Sequence, residues 1–391
     1  MPEPRDIVTT QPLHIQHVVL SLQPGGLENG VVNVVNRLAP ERFRSSVACL
    51  RHGGEFVARL QANTPVHELG WQGGNDWRLA LRLARLFRTT RPDIVHTRNV
   101  EAFYYGFAAA KLAGIDCLIH SEHGRNFDDR PLRFHVQRWM TRHTDAVFTV
   151  SRQLKDDLVH HTGIPAQRVQ VLANGVDLAR FGVADREQVR AALGLRPTET
   201  VIGSVGRLVP VKNYPLLLQA FAALQNSDAV LVLVGAGPER ASLEQQAQAL
   251  GIAPRVRFLG HRDDVTQLMA AFDVFVLPSL NEGMSNTLLE AMASGVACVA
   301  SNVGGNPDLI VHGEDGCLFE SEDLATLTAL LGALCRDAGR RAALGAAARR
   351  RIEREFSIDA MIARYERLYL STSSRQRGKA QPALAPLRDR P

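Results

Sequence analysis

LPSLNEGMSNTLLEAMASGVACVAS, residues Leu277 to Ser301, reads as strand, tight loop, helix, small-residue turn and strand. The run FDVFVLPS that enters it is apolar and β-rich, whereas TLLEAMASG is helix-forming and stops at Gly295. Glu282 therefore falls in the loop, and Glu290 is expected about two turns inside the helix. The backbone N–H groups of Met284, Ser285 and Asn286 would stand at the helix start, where the peptide dipoles favour an anion such as a diphosphate. Glu290 is placed to accept the hydroxyls of a ribose, and Glu282 to grip what hangs beyond the phosphates. Alone, the pair reads better as a solvated loop acid and a helix-surface acid. The Ala and Met residues around Glu290 indicate a buried helix, in which an acid needs a reason.

The same rhythm runs outward. HIQHVVLSL, SSVACL, DIVHT, CLIHSE and DAVFTVS are short apolar runs alternating with helical stretches, and the pattern restarts after LANGVDLARF with TVIGSVG, AVLVLVGAG, RVRFLG, DVFVLPS, VACVAS and GCLFE. Alternation of this kind predicts an α/β protein whose parallel sheets are covered on both faces. Two doubly wound domains are expected, residues 1–172 and 173–355, with a linker near 173–198. Residues 356–370 should form a C-terminal helix, with Ile358, Met361, Ile362, Tyr365, Leu368 and Tyr369 on one face, packing back toward the first domain. The polar, basic, Pro-containing stretch 371–391 is expected to be disordered.

A chain of 391 residues is too long for one ordinary core, and 45% hydrophobic with 22% charged residues is a globular composition. No apolar run reaches membrane-spanning length and the N-terminus has no signal-peptide pattern, so the expected location is cytoplasmic. Cys49, Cys117, Cys298, Cys317 and Cys335 lack metal-ligand spacing, and four of the five sit among apolar neighbours as core thiols. A net charge of +5 allows an anionic partner. Nothing points to nucleic acid.

In open parallel sheets, ligands bind beyond the carboxyl ends of the strands. Four loops there carry unusual residues. SLQPGGLENG sets Gly25 and Gly26 between strand and helix, which suits a phosphate or a plain turn. HSEHGRN sets His123 past a strand end, where a ligand could reach it. SVGRLVPVKN sets Arg207 and Lys212 after the first strand of the second half, a cation pair suited to a diphosphate or an exposed basic loop. VLVGAGPER resembles a dinucleotide fingerprint but has Arg240 where the third glycine should stand; Pro238 there reads as the first residue of a helix. No Asp-x-Asp, phosphate-loop, GxSxG or HExxH pattern occurs, so no metal site is expected. Separately, Arg125 to His143 mixes Arg130, Arg133, Arg138 and Arg142 with Leu132, Phe134, Val136, Trp139 and Met140. Such a helix suits an anionic membrane surface, or packs its apolar face on the sheet.

Together, GGLE (Gly25–Glu28), DIVHT (Asp93–Thr97), EHG (Glu122–Gly124), NGVDLARF (Asn174–Phe181), GRLVPVKN (Gly206–Asn213), VGAGPER (Val234–Arg240) and NEGMSNTLLEAMASG (Asn281–Gly295) resemble the retaining glycosyltransferases of family 4. Those have the GT-B fold, two facing Rossmann-like domains with a cleft between them. GGLENG, IVHTRN and SEHGRN resemble bacterial sugar transferases of exosortase-linked exopolysaccharide loci. The resemblance implies that Gly206, Arg207 and Lys212 hold the donor's diphosphate with the backbone at Gly25, Gly26, Gly283, Met284, Ser285 and Asn286. It also implies that Glu290 binds the ribose, and that Glu282 and His123 contact the transferred sugar. Catalysis would rest on His123, Arg207, Lys212 and Glu282, without cofactor or metal, using a UDP or GDP sugar. The acceptor would be a saccharide or polyprenyl-linked molecule, reached from the cytoplasmic side of an anionic membrane. Three positions depart from the family: Arg98 replaces a second histidine, Asn213 a glycine and Asp308 a glutamate. Two other readings stay open, a sugar-nucleotide epimerase of the same fold and a non-catalytic sugar-nucleotide-binding module.

Overall fold

The computed structural model describes residues 11–124, 131–182, 184–224 and 228–376. They form two compact units, unit 1 made of Met1–Thr149, Lys155–Leu172 and Ile362–Pro391, and unit 2 of Val150–Leu154 and Ala173–Met361. The chain thus departs twice from contiguous blocks, at Val150–Leu154 and from Ile362 onward.

Unit 1 alternates β1 (Leu13–Val19), α1 (Gly26–Arg37), β2 (Phe43–Cys49), β3 (Val66–Glu68), α2 (Trp77–Thr90), β4 (Ile94–Arg98) and α3 (Asn99–Ala113). It continues with β5 (Leu118–Glu122), α4 (Pro131–Arg142), β6 (Ala146–Thr149), most of α5 (Arg152–Thr162) and β7 (Val169–Val171). Its sheet has seven strands in the order β3-β2-β1-β4-β5-β6-β7, every pair parallel. Strand order reverses between β1 and β4, the switch point at which a doubly wound sheet opens a crevice. β1 is buried along its whole length although it carries His14, Gln16 and His17. A buried strand with polar residues must satisfy them by hydrogen bonds.

Unit 2 runs through α6 (Arg186–Ala192), β8 (Thr200–Val205), α7 (Tyr214–Ala222), β9 (Ala229–Val234), α8 (Arg240–Ala249), β10 (Val256–Gly260) and α9 (Val265–Leu268). β11 (Val274–Leu277), α10 (Asn286–Ala293), β12 (Ala297–Ser301), α11 (Asn306–Leu309), β13 (Cys317–Phe319), α12 (Leu324–Arg336) and α13 (Ala338–Glu355) complete it. α14 (Ile358–Gln376) starts in unit 2 and belongs to unit 1 from Ile362. The six-stranded sheet has the order β10-β9-β8-β11-β12-β13, again parallel throughout, with its switch point between β8 and β11. β9, AVLVLV, is buried at every residue, as a central parallel strand covered on both faces must be.

The region expected as a linker is largely folded. In α6, the buried Arg190 donates to Asp273 Oδ2 at 2.5 Å and to the carbonyl of Ala271 at 3.0 Å, and Arg186 donates to Asp273 Oδ1 at 2.6 Å. A partly buried carboxylate with arginine partners anchors the segment to unit 2, which composition could not show.

The tail expected to be disordered from residue 371 is helical to Gln376. Thr372 and Ser373 are buried, and the Ser371 and Thr372 hydroxyls both donate to the carbonyl of Leu368, a backbone alternative that water would otherwise supply. Residues 377–391 lie outside the described residues. All five cysteines are buried and none is in a disulfide; burial pushes the Cys49 thiol up to about 12, so it is a core group. Among the described residues, no helix is long and apolar enough to cross a membrane.

Candidate functional site

At the switch point of unit 2, the loop after β8 lies against the loop after β11. The N–H of Leu280 donates to the carbonyl of Val211 at 2.8 Å, which ties the two loops together. Lys212 Nζ then lies 2.5 Å from Glu282 Oε1, with side chains 16% and 11% exposed, and the Ser279 hydroxyl donates to the same carboxylate oxygen at 2.7 Å. The two sequence candidates thus form an ion pair. Arg207 is exposed, and among the described residues its side chain has neither an ion pair nor a hydrogen bond, its carbonyl alone accepting from the Val209 N–H at 3.0 Å. One cation is held by a carboxylate, and the other is exposed to solvent.

Local backbone explains why these residues stand here. Lys212 closes a short turn, Pro210–Lys212, whose next residue, Asn213, has φ 51. Asparagine is among the few non-glycine residues that tolerate this left-handed conformation, so it can stand where the family has glycine. A side chain at Gly206 would set its Cβ 2.9 Å from the Tyr214 hydroxyl and 3.6 Å from Lys212 Cε, so the lysine stem needs the gap. Gly235, at φ 140, would drive a Cβ to 1.9 Å from the Gly206 carbonyl, and Gly237 one to 2.2 Å from that of Leu208. VGAG is therefore a close-packing loop against β8's loop. Pro238 is not the first residue of α8, which begins at Arg240 after a turn.

α10 begins at Asn286 with Ser285 as its cap, the Ser285 hydroxyl accepting from the N–H of Leu288 at 3.3 Å. Glu290 is consequently only just over one turn inside α10, nearer the helix start than the two turns expected, because the cap falls later than the sequence pattern indicated. It is half-buried. Met284 and Ser285 are buried, and their N–H groups donate to no backbone carbonyl among the described residues. Asn174 braces this turn: its N–H reaches Met284 Sδ at 3.2 Å and its side-chain amide donates to Asn286 Oδ1 at 3.2 Å.

Sequence reading missed Gly304 and Gly305. Gly304 has φ 58, and a Cβ there would lie 1.8 Å from the Glu282 carbonyl; one at Gly305 would lie 2.6 Å from that of Gly283. The loop after β12 is pressed against the backbone of Glu282 and Gly283, and only glycine permits it. The adjacent glycines in VGGN were the available signal. Asp308 accepts from the N–H of Arg152 at 2.7 Å, giving it a partner inside unit 2.

Gly25, Gly26 and His123 belong to unit 1. Gly25 caps α1 in extended backbone at φ −171 and Gly26 is its first residue, so this pair stands at a helix start rather than at a left-handed turn. His123 follows β5; its N–H donates to Asn99 Oδ1 at 2.9 Å, and its Nε2 is hydrogen-bonded to Ser121 Oγ at 2.9 Å. Burial, assisted by the Arg98 charge and by His120, pushes its pKa down to about 3, so the ring is neutral at physiological pH. Arg98, the departure from the family pattern, is only 2% exposed and donates to His17 Nδ1 at 2.8 Å.

In α4, Leu132, Val136 and Trp139 are 74%, 40% and 53% exposed, while Gln137 and Met140 are buried. Leu132, Val136 and Trp139 share one helix face, so that face points outward with the exposed Arg133, Arg138 and Arg142 around it. Arg125 to Arg130 lie outside the described residues.

Known proteins resemble the chain over most of its length. The family model described as Glycosyltransferase Family 4 matches residues 24–180, and that described as Glycosyl transferases group 1 matches residues 185–351. The Escherichia coli UDP-Gal:alpha-D-GlcNAc-diphosphoundecaprenol alpha-1,3-galactosyltransferase is 30% identical over 341 residues, 81% of this chain and 86% of that protein. The N-acetyl-alpha-D-glucosaminyl L-malate synthase of Bacillus anthracis is 29% identical, over 75% of this chain and 78% of the relative. Among solved structures, Anabaena Alr3699/HepE in complex with UDP and glucose superposes with a TM-score of 0.83 at 24% identity, covering 92% of this chain and all of that one. Two parallel Rossmann-like sheets, loops gathered at a switch point and family matches across both halves place the chain in the family 4 glycosyltransferases, with the GT-B fold.

Proposed function

We propose that the enzyme moves a sugar, with retention of configuration, from a nucleoside diphosphate sugar to a saccharide or polyprenyl-linked acceptor in cell-surface or exopolysaccharide synthesis. The observation that carries this reading is the Lys212–Glu282 pair at the unit 2 switch point, with Arg207 open beside it on the same loop. Arg207 and Lys212 neutralise the diphosphate, and the N–H groups of Met284 and Ser285 add donors that need no reorganisation as charge develops. Glu290 takes the ribose hydroxyls, and Glu282 takes hydroxyls of the sugar once Lys212 turns to phosphate. His123 contacts that sugar as a neutral ring. The leaving phosphate accepts the acceptor's proton, so no protein nucleophile, metal or cofactor is assigned. A uracil base is favoured over guanine, because the E. coli relative is named for UDP-Gal and HepE was solved with UDP. The same relative's diphosphoundecaprenol-linked acceptor supports a lipid-linked acceptor here.

Product analysis tests the reading. Free nucleoside diphosphate released only when acceptor is present is the expected result. Isomerised donor would identify an epimerase, and bound but unchanged donor a silent module.

A lipid-linked acceptor calls for a cytoplasmic enzyme that reaches the membrane surface, and the outward face of α4 suits that task. Apolar Leu132, Val136 and Trp139 ringed by arginines match an anionic interface, each basic residue contributing about 1 kcal/mol near it. Arg133→Gln with Arg138→Gln should therefore weaken binding to phosphatidylglycerol vesicles roughly tenfold or more. Intact protein that ignores such vesicles in a flotation assay would sink this assignment.

A further inference from the structure

The unit 1 switch point holds a buried polar series that the transfer mechanism above does not use. His96 of β4 is fully buried. Its Nδ1 lies 2.9 Å from the Tyr369 hydroxyl of α14, and its Nε2 lies 3.0 Å from Ser121 Oγ on β5. Ser121 Oγ in turn lies 2.9 Å from His123 Nε2. Tyr369, His96 and Ser121 are each 0% exposed, so water is not at hand as an alternative partner. The register explains the assembly: Arg98 pairs with Ser121 across β4 and β5, and His17 with His96 across β1 and β4. Paired residues of parallel strands point to the same face, so these side chains share one side of the sheet.

We propose that Tyr369, His96 and Ser121 are positioning residues for His123, a one-way hydrogen-bonded series that holds its ring as the neutral tautomer with the proton on Nδ1. The inference rests on the reading of His123 as a sugar contact. In such a series, fixing the direction of one proton fixes the rest, because a neutral imidazole has one donor and one acceptor nitrogen. Arg98 supplies the fixed end. A guanidinium only donates, so His17 Nδ1 must accept from it, and the His17 proton sits on Nε2, toward Ser45 Oγ at 3.4 Å. The same guanidinium is a positive charge close enough to act on the phenols of Tyr365 and Tyr369, and among the described residues its Nη2 is a buried donor with no hydrogen-bond partner. A buried positive charge attracts the phenol oxygen and repels its proton, so the Tyr369 O–H points away from Arg98. Its partner there is His96 Nδ1.

The remaining protons follow. His96 carries its proton on Nε2 and donates it to Ser121 Oγ; the Ser121 O–H donates to His123 Nε2; the His123 proton is left on Nδ1. No hydrogen bond holds that Nδ1 among the described residues. An N–H offered there is a donor for a sugar oxygen, whereas the other tautomer would offer a lone pair. α14 thereby sets the hydrogen-bonding sense of the residue that follows β5, with Arg98 as the reason the sense is single.

The test uses the full chain labelled with ¹⁵N-histidine, the His123 signals being assigned by their loss in His123→Gln. A pyrrole-like Nδ1 and a pyridine-like Nε2 at His123 are expected. Tyr369→Phe keeps the ring packed on Phe43 and Tyr365 but removes the O–H. It should give mixed tautomers at His96 and His123 and lower kcat roughly tenfold with the donor KM unchanged, the loss expected for one neutral hydrogen bond. Ser121→Ala should do the same at His123 while leaving the Tyr369–His96 contact intact. A proton on Nε2 of wild-type His123, or a spectrum and kcat that survive both substitutions, would overturn the series. Full activity in His123→Gln, with the tautomer as stated, would overturn the sugar contact and the consequence for turnover.

Discussion

Lys212→Ala and Glu282→Gln should move donor binding in opposite directions. Lys212 is ion-paired with Glu282 at 2.5 Å. A donor diphosphate competes with that carboxylate for the ammonium group. Removing the lysine deletes a charged hydrogen bond to phosphate, worth about 1.5–3 kcal/mol, so nucleoside diphosphate affinity should fall roughly 10- to 150-fold. It also leaves the Glu282 carboxylate, 11% exposed, with the Ser279 hydroxyl but without its counter-charge, which adds electrostatic repulsion against the incoming phosphate. In the proposed mechanism the same cation steadies the leaving group, so kcat should fall by about 10²–10³ as well. Glu282→Gln keeps a group that Ser279 can bond and frees Lys212, so nucleoside diphosphate should bind as tightly as before or more tightly, while turnover drops through the lost sugar contact. Isothermal titration of UDP against both variants, alongside initial rates, separates the two. Equal weakening in both would mean that the pair is structural and that neither residue faces the donor.

The second large effect is on stability below neutral pH. His17 and His96 are wholly buried, and burial, together with the Arg98 charge, holds both well below the ordinary value of 6.5. A histidine depressed in the folded state contributes its full stability above 6.5. That contribution is lost as pH falls from 6.5 toward the folded value, because the unfolded chain takes up the proton first. One unit below 6.5, each group costs about 1.4 kcal/mol, so the two together cost about 3 kcal/mol at pH 5.5. For unit 1 this is a large share of a typical stability of about 5–15 kcal/mol. Thermal unfolding followed between pH 7.5 and 5.5 should show a fall of several degrees that His96→Gln and His17→Gln each make shallower. A midpoint flat across that interval, or a slope indifferent to both substitutions, would show that the two rings take up protons in the folded state.

Much of this protein is legible in its sequence. Alternation of apolar strands with helices gives two parallel sheets, and the loop residues Arg207, Lys212 and Glu282 could be named because they follow strands at predictable places. The helix that carries Glu290 is legible, but Glu290 lies about a turn nearer its start than the pattern indicates, since a helix start depends on which residue supplies the cap, and Ser285 supplies it only in its folded position. The Val303–Asn306 loop passed unnoticed because a pair of glycines signals a close approach without saying to what; only the fold sets it on Glu282. The tail was judged by composition, and composition does not reveal that Thr372 and Ser373 pack inside unit 1.

By itself, then, the sequence determined the fold class, the family and the loops that carry charge, because periodicity and loop chemistry are written in consecutive residues. Only the tertiary structure decided that Lys212 is paired with Glu282, 70 positions away, and that Tyr369 reaches His96 across 273. Such contacts depend on strand order and register, which bring distant side chains within hydrogen-bonding distance, and no local pattern along the chain encodes those angles and distances.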